Sequence, residues 1–260
     1  MERKTRITLI FFFAAIVVLV TFFGGALFRL VREAQEADEA RFVQLFPSGA
    51  ELIALLPAGV SGPFTQDLVE LDEMPGRELV IGYALRDREA VLPRVRAFRK
   101  FEDSWSLVSE FRFLVDPYTY ANAAEWGKLS GVPSFERKDI DGNGREEIFT
   151  RLDIGSQFYR ATGIVVWNGE DLVWLPLYDR EGKLILPLFL EGGTPTEARR
   201  LFAEDASGGG GLDIIAAHGL VDPQTGVQRW QYEIFVERDG AYWFDASLSE
   251  AYTAVGRPPA

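Results

Sequence analysis

The stretch Asp139-Ile140-Asp141-Gly142-Asn143-Gly144-Arg145-Glu146-Glu147 is the part of the chain that decides its fold class. It has an acidic residue at each end, and an apolar, strand-like segment follows it. Two related nine-residue stretches occur at 70–78 and 205–213. The first and second begin 69 positions apart, and the third begins three residues earlier than that period requires. A repeat of this length, marked by acids at fixed offsets, predicts stacked β modules.

Each acidic stretch is followed by the same order of predicted elements. Two strands come first, then a short polar turn, and then a third strand that begins near a tryptophan. Two of the turns contain Asn-Gly or Asp-Gly, which is typical of two-residue hairpins. Trp105, Trp174 and Trp243 recur with the repeat, and their place after a turn predicts packing inside each module. The first strands are predicted at 79–85, 148–154 and 214–220, and the second at 94–98, 162–167 and 229–236.

We therefore predict a mainly β protein, with a partial or small β-propeller-like array of three repeats in residues 48–260. The repeats cover about 64–130, 131–199 and 200–255. Three modules are fewer than the four or more that usually close a propeller. An open arc, a distorted small propeller and completion by a partner are therefore the alternatives.

Short inter-repeat helices are also predicted. Thr194-Pro195-Thr196-Glu197 has the form of a capping box with proline at the first helical position, which predicts a helix through Ala198 to Ala203. A similar short helix is predicted within 118–129.

The N-terminal region has the pattern of a membrane anchor. Residues 7–28 form an uncharged, mostly apolar run of 22 residues, and a helix of that length spans about 33 Å, enough to cross a bilayer. We predict a flank and transmembrane helix in 1–28 and a charged juxtamembrane helix in 29–47. A cleaved secretory signal is the alternative, although its apolar region is usually about 7–15 residues long.

Positive charge on the N-terminal flank indicates the orientation of this anchor. Arg3, Lys4 and Arg6 precede the apolar run, whereas acids dilute the arginines that follow it. Because positive charge favours the cytoplasmic side, we expect a single-pass protein of the cell membrane. The lipid bilayer is then a partner through residues 7–28, and the C-terminal domain is extracytoplasmic.

Composition argues against several classes of function. The chain has 260 residues, with 39 acids against 27 bases and a formal net charge of −12, so nucleic acid is not an expected partner. It has no cysteine and a single histidine, His218, which disfavours zinc sites and cysteine or Ser-His-Asp catalysis. We predict a protein that is not an enzyme.

The central stretch has the oxygen pattern of a calcium loop. Calcium takes six to eight oxygen ligands in flexible geometry, and carboxylates crowded into one loop repel each other without a cation. Gly144 permits the sharp turn that such a loop needs. An acidic turn without metal is the alternative. The predicted ligands are the side chains of Asp139, Asp141 and Asn143, the carbonyl of Arg145 and the side chain of Glu147.

The pattern at 139–148 resembles the calcium loops of FG-GAP or VCBS repeats, the blades of integrin-α-like β-propellers. The resemblance covers about 64–250, but Met74 and Pro75 replace a ligand and the turn glycine in the first stretch. Ser207 and Gly209 replace two ligands in the third. The resemblance implies one structural Ca²⁺ ion and a membrane-anchored, extracytoplasmic binding or scaffold module with a protein or glycan partner.

Two other functions remain as alternatives. One is a polysaccharide-active enzyme of the envelope that uses paired carboxylates, for which Asp116, Glu125, Asp153 and Asp245 are candidates. The other is an assembly factor for envelope proteins.

Overall fold

The computed structural model describes residues 46–58, 60, 63–87, 90–126, 129–256 and 259. The predicted anchor in 1–28, and all but the last two residues of the predicted juxtamembrane helix in 29–47, lie outside these residues. No helix within the described ranges is both long and apolar enough to span a bilayer. By its contacts the chain divides between Leu55 and Leu56.

Among the described residues before this division there is one short helix, α1 (Gly49–Leu55). Ser48 and Glu51 cap its first turn reciprocally. The Ser48 N–H donates to Glu51 Oε2 at 2.7 Å, and the Glu51 N–H donates to Ser48 Oγ at 3.4 Å. This is a capping box, which satisfies amide groups that the first turn cannot pair internally.

After the division, the described residues are mainly strand, as predicted, and the strands form two sheets. Neither sheet closes into a barrel. The first sheet is antiparallel throughout, in the order β1-β2-β3-β4. Its strands are β1 (Thr65–Val69), β2 (Glu78–Asp87), β3 (Ala90–Phe101) and β4 (Ser104–Arg112).

The second sheet contains the remaining described strands. Its order is β10-β9-β15-β14-β13-β12-β11-β7-β6-β5, with β8 also pairing with β7. A 3-10 helix (Ala123–Glu125) precedes this sheet, and α2 (Ala246–Val255) follows it. The strands are β5 (Ser130–Lys138), β6 (Glu147–Asp153), β7 (Tyr159–Trp167), β8 (Leu172–Trp174), β9 (Leu177–Tyr178), β10 (Leu184–Ile185), β11 (Leu188–Thr194), β12 (Glu197–Glu204), β13 (Asp213–Val221), β14 (Gln228–Arg238) and β15 (Ala241–Phe244).

Three runs of four strands, β1–β4, β5–β8 and β12–β15, follow the same path within the described chain. In each run an acidic nine-residue loop joins the first strand to the second. We call these the first loop (70–78), the central loop (139–147) and the third loop (205–213). The second and third runs share one continuous sheet through β11. The separate radial sheets of a propeller are therefore not seen among the described strands.

The prediction of a helix from Thr194 to Ala203 is wrong, because this segment contains the turn of the β11–β12 hairpin and most of β12. All eight residues of β12 pair with β13. Leu201 packs against one apolar cluster and Phe202 against another, so alternate residues face opposite sides, as in a strand. Glu197 does not cap a helix. Its Oε1 accepts a hydrogen bond from Arg199 Nε at 2.8 Å. Of the helix predicted in 118–129, the described residues form only the 3-10 turn.

The three periodic tryptophans lie on the fourth strand of each run but in different surroundings. Trp174 is buried and meets Phe111 edge-on. Trp105 is half-buried, with Lys100 Nζ 5.9 Å from its ring centroid. Trp243 is half-buried and stacks on Tyr178, with centroids 4.1 Å apart. Of the three, Trp174 alone is buried, and its ring partner Phe111 belongs to β4 of the first run, so this indole packs against another run and not only within its own.

Candidate metal centre

Short hydrogen bonds from side chains to the backbone shape the central loop. Asp139 Oδ1 accepts from the Gly142 N–H at 2.8 Å, and its Oδ2 accepts from the Gly144 N–H at 3.0 Å. Asp141 Oδ1 accepts from the Asn143 N–H at 3.1 Å. Gly142 and Gly144 have φ angles of 74° and 85°, a region that glycine enters without steric cost. The loop therefore turns sharply enough to bring its two ends together.

Three carboxylates converge in this turn. One oxygen from each of Asp139, Asp141 and Glu147 lies within 4.8 Å of the others. Two oxygens bound to one calcium ion, each at 2.3–2.6 Å, lie no more than about 5 Å apart. The three predicted carboxylate ligands are therefore close enough to share one ion.

Burial makes this cluster electrostatically unfavourable without a cation. The pKa of Glu147 is raised to about 7, mainly by burial and in smaller part by the charges of Asp141 and Asp139. A bond from the Ile140 N–H to Glu147 Oε2, at 2.8 Å, acts in the opposite direction. Burial likewise raises the pKa of Asp141. A bound cation would favour the charged form of both groups.

The other two predicted ligands, Asn143 and Arg145, lie beside the carboxylates. Asn143 Nδ2 donates to Asp141 Oδ2 at 2.6 Å, and Asn143 Oδ1 accepts from the Arg145 N–H at 2.7 Å. The Arg145 side chain lowers the pKa of Asp141 through its positive charge. Asn143 thus contacts one of the three clustered carboxylates directly.

The third run contributes residues that the sequence did not reveal. A cavity of about 110 Å³ lies between the central loop and the β14–β15 hairpin, and Asp141, Glu147, Glu237 and Tyr242 line it. The charge of Glu237 raises the pKa of Asp141. Burial, followed by the charge of Glu147, raises the pKa of Tyr242, whose hydroxyl donates to the Leu212 carbonyl at 3.3 Å. A fourth carboxylate therefore lies near the cluster.

The ninth position of each loop holds a buried acid. Glu78, Glu147 and Asp213 are 1%, 7% and 2% exposed. Each accepts a backbone N–H from near the start of its own loop, given by Leu71 at 3.2 Å, Ile140 at 2.8 Å and Ser207 at 2.7 Å. The same local closure therefore occurs in all three loops, although the central loop alone has the full ligand pattern.

A side-chain cation occupies the first loop. Arg99 Nε donates to Glu78 Oε1 at 2.8 Å, and its Nη2 contacts Asp72. Asp72 and Glu78 hold the third and ninth loop positions, the places of Asp141 and Glu147 in the central loop. The guanidinium thus compensates the buried charge in the first loop.

The second and third runs have valine where the first run has this arginine. Pairing of Leu79 with Phe98 puts Arg99 beside Glu78. Pairing of Ile148 with Val165 puts Val166 beside Glu147, and the corresponding residue beside Asp213 is Val236. In the third loop the Ser207 hydroxyl lies 3.3 Å from Asp213 Oδ1. The first and central loops each contain four carboxylates. The central loop differs because valine, and not arginine, lies beside its buried ninth-position acid.

Comparisons of the chain with protein-family models, with curated proteins and with solved structures find no match. The interpretation of the loop therefore depends on its own residues and geometry.

Proposed function

We propose that this chain is a membrane-anchored, extracytoplasmic binding or scaffold module of three FG-GAP-like β repeats, with one structural calcium ion in the central loop. The observation that carries the proposal is the convergence of Asp139, Asp141 and Glu147 within 4.8 Å. Oxygen ligands of this kind suit a hard cation. The pattern of the loop, with oxygens at alternate positions before a strand, favours calcium over magnesium.

The contrast between the loops supports the need for an ion. In the first loop the guanidinium of Arg99 contacts the acids at the third and ninth positions. In the second run an apolar residue, Val166 on β7, takes the position of Arg99 beside the ninth-position acid. Val166 also lines the adjoining cavity. A buried carboxylate without an opposite charge costs several kcal/mol. A diffusible cation in the central loop would remove that cost.

The position of the central loop supports a structural role for the ion. The Glu146 N–H donates to the Glu70 carbonyl of the first loop at 2.7 Å. The Leu212 N–H of the third loop donates to the Ile140 carbonyl at 2.6 Å. The central loop thus bonds to both of its counterparts, so an ion that orders it would stabilise the junction of the three runs.

The calcium concentration outside the cytoplasm agrees with the proposed extracytoplasmic location of the β domain. Extracellular modules bind calcium with dissociation constants of about 10⁻⁴ to 10⁻³ M, which suits the higher calcium concentration outside the cytoplasm. The sequence-based anchor at 7–28 and the positive charges before it would place the β domain on that side.

Thermal and chemical denaturation with and without calcium tests the proposal. At about 10 mM calcium we expect the free energy of unfolding to rise by about 1.4–2.7 kcal/mol over the value in chelator, for the affinities above. Asp139→Ala should abolish this gain. Asp205→Ala changes the same position of the third loop and should leave the gain intact. Identical wild-type melts in calcium and in chelator would refute the calcium site.

A second variant tests the comparison of the loops. Val166→Arg places a guanidinium beside Glu147, as Arg99 lies beside Glu78 in the first run. We expect this variant to lose the calcium response while it stays at least as stable as wild type in chelator. Val236→Arg, the matching change in the third run, serves as the control and should keep the calcium response. If Val166→Arg responds to calcium as wild type does, the central cluster is not the binding site.

A further inference from the structure

A large cavity lies apart from the three acidic loops. Its volume is about 1130 Å³, slightly more than the range of about 300–1,000 Å³ for small-molecule sites. None of the residues that line it belongs to the central loop. Strands β11–β14, the 3-10 helix, the Asp179–Arg180 turn and α2 all contribute residues to its wall.

Polar side chains form a row across one wall of the cavity. Arg199 on β12 pairs with His218 on β13, which pairs with Gln231 on β14. Glu233 lies two residues further along β14, on the same face of the sheet. His218 Nε2 and Arg199 Nε both lie close to Glu197 Oε1, at 2.9 Å and 2.8 Å. The row therefore offers fixed donors and acceptors to the cavity.

Two acids in the wall have no salt-bridge partner within the described chain. They are Glu233 in the sheet and Glu125 in the 3-10 helix, and both line the cavity. Glu233 is reachable by water, yet the protein around it raises the pKa of its carboxyl. Burial is the largest cause, and the charge of Glu125 adds to it while that of Arg199 opposes it. The two acids and the arginine thus lie near enough to influence one another.

Apolar and aromatic side chains also line the cavity. Trp126 is next to Glu125 in the chain and is half-buried. Phe244 is half-buried and meets the buried ring of Phe235 edge-on, with ring centroids 5.8 Å apart. Aromatic rings offer flat apolar surfaces beside groups that can bond to a polar ligand. The cavity therefore combines ring surfaces with carboxylate, guanidinium, imidazole and amide groups.

The balance of charge selects the class of ligand. Four acids and three arginines line the cavity, so an anion would be repelled by the acids and a cation by the arginines. They are Glu125, Asp179, Glu233, Glu250, Arg180, Arg199 and Arg200. A neutral ligand rich in hydroxyl groups avoids both penalties, because each hydroxyl donates one hydrogen bond and accepts others. Sugar rings also have C–H faces that pack on aromatic side chains. We propose that this cavity binds a neutral oligosaccharide.

This proposal builds on the proposed function only in its binding role, because the cavity and the central loop share no residue. The test is calorimetric titration of the full chain with hexasaccharides of three kinds: neutral (maltohexaose, cellohexaose and N-acetylated chitohexaose), anionic (hexagalacturonate) and cationic (chitosan hexamer). We expect at least one neutral sugar to bind, and to bind more tightly than either charged one.

Variants locate the binding. Glu233→Ala and Gln231→Ala should each weaken binding of the neutral sugar at least tenfold. Glu170→Ala removes an exposed acid from the turn before β8 and should leave binding unchanged. Failure of all neutral sugars to bind, preference for a charged one, or wild-type affinity in Glu233→Ala would each overturn the proposal. A calcium response in the same preparation would show that such a failure concerns the cavity alone.

Discussion

Replacement of Trp174 by alanine should lower the free energy of unfolding by about 3–5 kcal/mol, the range for truncation of a buried aromatic side chain. The ring is edge-on to Phe111 and Phe113, with centroids 5.0 Å and 5.6 Å away. A Cβ added at Gly163 would approach the ring to 2.6 Å, so the ring fills the space that this glycine leaves. Residues of both sheets belong to the same apolar cluster. The truncation would therefore leave a cavity between the sheets.

Trp105 provides the matched control, because it lies on the fourth strand of another run. It is half-buried, and its described ring contact is with Lys100. An exposed cation–π contact contributes about 0.5–1 kcal/mol, so Trp105→Ala should cost about 1 kcal/mol or less. Chemical denaturation followed by circular dichroism measures both variants without depending on tryptophan fluorescence. Equal losses would contradict the packing described for the two indoles.

Local patterns in the sequence predicted the strands and turns. Each predicted first and second strand overlaps a strand of the structure, because alternating or continuous apolar segments identify strands directly. The Asp239-Gly240 pair has φ angles of 56° and 79°, as a two-residue hairpin of type I′ requires. These features depend on a few neighbouring residues and can therefore be recognised without the fold.

Features that depend on distant pairing were not predictable in this way. The segment Thr194 to Ala203 carries a strong local helix-start signal, yet it forms strands. Pairing of β12 with β13 satisfies its backbone groups, and apolar side chains on both of its faces pack against separate clusters. Tertiary pairing here outweighs a capping preference of about 1 kcal/mol.

In the candidate site, too, the features set by neighbouring residues were predictable, and those set by distant pairing were not. The alternating acids of the central loop were evident from the sequence, and their oxygens do converge. Glu237 and Tyr242 border the site only because β14 and β15 fold back onto it from the third run. The contrast between Arg99 and Val166 depends on strand register, which a single sequence does not reveal. The sequence thus predicted the acids that converge in the loop but not its electrostatic surroundings.

In chelator, Glu147 should make the wild-type protein less stable as pH rises from about 4.5 to about 7. Burial raises the pKa of this carboxyl to about 7 in the folded protein, against 4.5 for the ordinary group. Over this range the unfolded chain releases its proton before the folded protein does, so ionisation favours the unfolded state. A pKa difference of about 2.5 corresponds to about 3 kcal/mol, which is fully lost above pH 7.

Glu147→Gln tests this expectation, because the amide does not titrate and still accepts the Ile140 N–H. The variant should lose most of the decline in stability between pH 5 and pH 8, measured by chemical denaturation at each pH. Asp141 and Glu78 also have raised pKa values, mainly through burial, so a smaller decline of the same sign should remain. Glu170→Gln, in an exposed turn, should keep the wild-type profile.

Calcium should reverse the effect of pH if Glu147 is one of its ligands. A bound cation favours the ionised carboxylate, and at low pH its binding must first displace the proton. The stability gained from calcium should therefore be larger at pH 8 than at pH 5, and Glu147→Gln should reduce that difference. If calcium stabilises the protein equally at both pH values, Glu147 is not a ligand. If the full decline with pH persists in Glu147→Gln, its buried charge is not the cause.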